Sequence, residues 1–141
     1  MKNSRAFRYC SRLLLVLCLF NGIGALFGGV GGMVAPEFFG SSQLVPILHE
    51  LPFIGPYINT LVIPASTLLL FIFVPQSVAA TLLLRKHPGQ FIAVIICGIL
   101  LVAFTAVELI VIPNPLSWVY LFIGVVEIVI AIVCLKIPSK T

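Results

Sequence analysis

Few residues in this chain have chemistry to offer, and two of them sit in unusual surroundings. Of its four acidic side chains, Glu37 and Glu50 bracket the stretch FFGSSQLVPILH, whereas Glu108 and Glu127 lie within long apolar runs. Around the last, the sequence reads GVVEIVIAI, and Lys136 is the nearest basic residue along the chain. A carboxyl group at the centre of a membrane helix costs about 2.5–3.5 kcal/mol on insertion scales, so it is rarely left facing lipid. Two chemistries follow. One is a proton or cation site on a transport path; the other is a neutral hydrogen bond between helices.

Steps of three and four along a helix place Ser117, Tyr120, Gly124, Glu127, Ala131 and Cys134 on one face. A matching stripe near the N-terminus holds Cys18, Asn21, Ala25, Gly28 and Gly32, and it overlaps a G-x-x-x-G series at Gly24, Gly28 and Gly32. Small residues let helix backbones approach closely, so Gly24, Gly28, Gly32, Gly124 and Ala131 are expected to face protein. Counting inward at about 1.5 Å per residue from the ends that carry the basic residues places Asn21, Gln76 and Glu127 in one central layer. A second polar layer near the opposite surface groups Glu108 with Ser66, Thr67 and Thr105. Low dielectric favours the neutral form of a carboxyl, so Glu127 is expected to be neutral and hydrogen-bonded to Asn21 or Gln76.

Other chemistries lack their residues. His49 and Glu50 are adjacent, but a metal centre needs more ligands converging, and no metal or cofactor is expected. Cys10, Cys18, Cys97 and Cys134 contain no C-x-x-C spacing, and buried cysteines commonly act as small apolar residues. No phosphate-binding loop, H-E-x-x-H or nucleophile elbow occurs, so catalysis is not expected. Basic stripes with interleaved aromatics are absent too, which excludes nucleic acid as a partner.

The elements that position these side chains are set by composition. The chain has 141 residues, of which 61% are hydrophobic and 9% charged. Soluble domains carry about 25% charged residues, so this chain lacks the polar surface a water-soluble globule needs. Four apolar segments of spanning length appear, at about 13–34, 58–84, 91–112 and 116–135. The second is overlong and contains Pro64 and Pro75, so tilt and a kink are expected. A cleaved signal peptide is the rival reading of the N-terminus, but the apolar run is too long and no A-x-A-like site follows.

Lys2, Arg5, Arg8 and Arg12 precede the first span, Arg85 and Lys86 separate the second from the third, and Lys136 and Lys140 follow the fourth. With four spans these segments share one side, and basic residues mark the cytoplasmic side. Both termini are therefore expected in the cytosol. PNP at 113–115 is a short turn, which makes the third and fourth spans an antiparallel hairpin. The outer segment 35–57 is long yet apolar; it reads either as a packed loop or as a short helix from about Gln43 to Leu51 capped by Ser42, with Pro46 in its first turn. Such a helix would lie on the interface or fold back over the bundle mouth.

At LFNGIGALFGGVGGMVAPE, LPFIGPYINTLVIPA and SWVYLFIGVVEIVIA, the chain resembles small four-helix bacterial membrane proteins. Its plan is loosely similar to DoxX-type proteins, a membrane family linked to oxidase or redox-partner roles. That family tends to carry a basic residue after the glycine of its first helix; here Ala25, Leu26 and Phe27 follow Gly24, and no site residue is carried over. The expectation is an all-α, antiparallel four-span bundle forming one domain over 1–141, in the bacterial cytoplasmic membrane. Its partners would be the lipid bilayer and another membrane protein or a second copy of itself. Its role would be that of a non-catalytic structural or interaction component; the alternative is a small proton- or cation-linked transporter built on Glu127, Asn21 and Gln76.

Overall fold

The first apolar run is preceded by eleven residues, Lys2 to Arg12, with neither proline nor glycine, and helix continues straight through them. Helix α1 spans Lys2–Val34 in the computed structural model, which describes residues 2–136. It begins earlier than the hydropathy boundary at residue 13 because charge alone does not break a helix. It stops where Pro36 disfavours helical backbone at Ala35, whose φ and ψ are −130° and 64°.

The segment that follows is helical in pieces. A 3-10 turn, Pro36–Phe39, leads through Gly40 in the left-handed region (φ 77°) into α2, Ser41–His49. The expected helix from Gln43 therefore starts two residues earlier and ends sooner. Gly40, not Ser42, takes the N-cap position, because glycine tolerates the left-handed backbone joining the two pieces. Pro46 lies inside α2 rather than in its first turn. A second 3-10 turn, Gly55–Tyr57, precedes the next long element.

That element begins at Val62, four residues later than expected, and is broken in two. Helix α3 (Val62–Leu68) passes through a π turn, Leu69–Phe73, into α4 (Val74–Leu84). Pro75 explains the break: it has no N–H for the Phe71 carbonyl, and its ring would collide with that carbonyl in a regular helix. The wider turn, in which the Val74 N–H donates to the Leu69 carbonyl, relieves the collision. Helix α5 (Gln90–Val111) and helix α6 (Pro115–Lys136) complete the chain. Pro115 takes the first position of α6, and the Asn114 side-chain oxygen accepts the Ser117 N–H at 2.8 Å, satisfying an amide the helix start leaves open. Lys140 lies outside the described residues.

Every regular element among the described residues is helical. Four stretches are long and apolar enough to cross a membrane: Arg5–Val34, Val62–Leu84, Gln90–Val111 and Pro115–Lys136. Side chains such as Val16, Ile23, Leu70, Ile96 and Val129 are exposed along all four. The interior divides into three clusters. Leu14, Cys18, Ala79, Leu83, Phe91, Val94, Ala131 and Cys134 form the largest, and Phe7 meets Phe91 edge-on at 5.2 Å. Ala25, Ile72 and Leu101 form the middle one. Leu48 of α2, Ile58 and Leu61 form the third, with Val111 and Ile112 from the end of α5 packed against it.

Candidate functional site

The site is built on three glycine- and alanine-lined helix faces. About once per turn α1 presents a glycine at Gly24, Gly28 and Gly32, and α5 and α6 meet at Gly98 and Gly124. A Cβ on Gly32 would lie 3.2 Å from that of Ala65, and one on Gly28 would lie 3.0 Å from Leu68. On Gly24 it would meet the Tyr120 hydroxyl. The glycine series of α1 is thus occupied within the chain, against α3 and α6. Gly124 packs against Gly98 of α5: a Cβ on Gly98 would stand 3.0 Å from the Gly124 carbonyl oxygen. Ala131 is fully buried.

Held between those close approaches, Glu127 has no exposed surface, and neither has Asn21; Gln76 has 1%. The Asn21 Nδ2 donates to Glu127 Oε1 at 2.6 Å, and the Gln76 Nε2 donates to Oε2 at 3.2 Å. One carboxyl group therefore joins three of the four long elements. Cys18 of α1 and Cys97 of α5 lie within electrostatic reach of it, so the fourth element lines the site as well. Both amides spend an N–H on the carboxyl and leave their own oxygens without a partner among the described residues.

A cleft of about 90 Å³ between α1 and α4 includes Gln76 in its wall, but its other walls are chiefly Cys18, Leu19, Gly22, Ile23, Phe73 and Ala80. Ser77 is the other polar side chain lining it, and that hydroxyl donates to the Phe73 carbonyl of its own helix. Among the described residues no set of three or more His, Cys, Asp or Glu side chains is grouped to hold a metal ion.

No protein-family model, curated protein or solved structure matches this chain. A buried carboxyl that accepts amide N–H groups from two other helices has the parts of an interhelical clamp.

The second polar layer is assembled differently from the expected set. Ser66 and Thr67 donate their hydroxyls to Val62 and Ile63 carbonyls of their own helix, and Thr105 donates to the Leu101 carbonyl at 2.7 Å. Glu108 instead lies beside Asn114 and Ser117, across the turn between α5 and α6, with Tyr120 nearby. The Ser117 hydroxyl is buried and has no partner at hydrogen-bonding geometry among the described residues. His49 turns its ring Nδ1 to the Ile58 carbonyl at 3.3 Å, a loop contact. Sequence reasoning passed over two residues: Gly98, which sets the α5–α6 approach, and Gly55, whose close contact with α2 is described below. A lone glycine within IICGILL is itself a signal of close approach.

Proposed function

We propose that this chain is a small multi-pass integral membrane protein acting as a non-catalytic structural or interaction component. In this reading four spans run up and down through the bacterial cytoplasmic membrane with both termini in the cytosol, as the basic residues direct. Glu127, Asn21 and Gln76 lock three spans together, and the partners are lipid and other membrane proteins. A contact with a second copy would use faces other than Gly24, Gly28 and Gly32, which already pack inside the chain.

One observation supports the proposal above the rest: the central acid has no exposed surface and is hydrogen-bonded to two other spans. A transport site at the midplane needs access from water. The second reading, a small proton- or cation-linked transporter, draws on the two amide oxygens that lack donors beside the carboxyl. Reconstitution in sealed vesicles with trapped pH- and sodium-sensitive dyes separates the two. The structural reading expects wild type and Glu127→Gln to dissipate imposed gradients no faster than protein-free vesicles. A flux in wild type that disappears in Glu127→Gln overturns it in favour of transport.

A further inference from the structure

Between α2 and α3 the backbone is strained in order to hold an aromatic ring away from the protein. Phe53 adopts φ 69°, in the left-handed region where a bulky side chain is disfavoured, and it is 93% exposed. The turn around it is firmly built. The Gly55 N–H donates to the Leu51 carbonyl (3.0 Å), Ile54 N–H to Pro52 (2.8 Å), and Ile58 N–H to Gly55 (3.0 Å). A Cβ on Gly55 would run into the His49 carbonyl, so glycine is what lets the turn close onto the end of α2. Ile54 and Tyr57 are exposed beside the ring.

The surroundings say what the ring meets. From Leu51 to Leu84 the sequence contains no Asp, Glu, Lys, Arg or His. His49, Glu50, Asn59 and Thr60, which flank the turn, are exposed, so its apolar tip is set between polar residues, the pattern of a segment at the headgroup boundary. Ile58 and Leu61 pack with Val111 and Ile112, which fixes the turn at the level where α5 ends. Trp118, one turn into α6 from that same end, is exposed as well, as is Val62 at the start of α3. Exposed aromatics at the end of spanning helices mark the headgroup level of a bilayer. Leu48 of α2 is turned into the buried cluster with Ile58 and Leu61, while Phe53, Ile54 and Tyr57 of the turn after it point away from the protein.

We propose that the Pro52–Tyr57 turn is a lipid anchor whose Phe53 ring enters the headgroup–acyl boundary of the leaflet on the α2 side. This rests on the membrane-spanning reading above. The test uses the full chain in phosphatidylcholine vesicles whose acyl chains carry bromine either near the glycerol or near the chain end. Trp118 is the natural single tryptophan, and its quenching by either lipid reports that the bundle is embedded. The probe is Phe53→Trp combined with Trp118→Phe; at an exposed position this exchange disturbs no packing. Emission from position 53 is expected to fall by about half with bromine near the glycerol, less with bromine near the chain end, and little with aqueous iodide. Quenching of position 53 by iodide alone overturns the anchor while Trp118 still upholds the membrane reading. Shielding from both quenchers also overturns it, by showing a protein cover. Failure of lipid to quench Trp118 sinks both.

Discussion

Glu127→Leu is expected to destabilise the bundle by about 3 kcal/mol, and removing the other two polar groups should return most of that loss. Hydrogen bonds between membrane helices average about 0.6 kcal/mol and reach about 1.7. The 2.6 Å contact from Asn21 belongs near the top of that range and the 3.2 Å contact from Gln76 near its middle, so together they contribute about 2 kcal/mol. Leucine removes both and strands two fully buried amides, each costing about 1–3 kcal/mol when unsatisfied. Part of that second cost is already present, since both amide oxygens lack donors, which brings the sum to about 3 kcal/mol. Exchanging all partners for apolar groups is close to neutral. The combination of Asn21→Val, Gln76→Leu and Glu127→Leu should therefore lie within about 1 kcal/mol of wild type. Glu127→Gln, which keeps an acceptor and adds a donor for a stranded oxygen, should lose about 1 kcal/mol or less. Unfolding by a denaturing detergent, followed through Trp118 emission and far-ultraviolet circular dichroism, gives all four values. If Glu127→Leu matches wild type, or the triple variant is no better than the single one, the clamp is not what holds these helices together.

Gly98→Ala should cost about 1–3 kcal/mol in the same measurement, because the new methyl group meets both Ile128 and the Gly124 carbonyl, and the backbone cannot yield without parting the helices. Gly55→Ala should open the turn after α2, read as faster amide exchange at Ile58, while the Gln90–Val111 helix keeps its protection. In a cysteine-free chain, a membrane-impermeant maleimide should reach a cysteine at Asn59 from outside intact cells. It should reach cysteines at Arg5 or Lys136 only after lysis; labelling of the two ends from opposite faces would refute the four-span arrangement.

The central site was legible because it obeys a simple metric. Helical rise is constant, so equal counts from the basic ends put Asn21, Gln76 and Glu127 at one height, and steps of three and four decided which face each occupied. Counting depth did not anticipate that Glu108 lies beside Asn114 and Ser117. Serine and threonine hydroxyls in an apolar helix bond back to their own carbonyls, as Ser66, Thr67 and Thr105 do, and are not free to build a layer. Boundaries were also hidden. Hydropathy marks where a helix becomes greasy, not where it begins, so the first eleven residues of α1 escaped notice. Pro75 signalled a disruption, but only coordinates resolve it as a widened turn. The left-handed backbone at Phe53 carries no sequence signal, since bulky residues rarely adopt it and nothing in the residue type marks it.

The pairing of Asn21 with Glu127 spans 106 residues of sequence, and a ribosome adds about 5–20 residues per second. The first span therefore waits several seconds in the membrane with an unmatched amide, until the last one arrives to receive it. Gln76 waits for the same helix, from 51 residues away. A chain cut short before Pro115 would leave both groups permanently orphaned, and that is the kind of blemish by which membrane proteases recognise unfinished products.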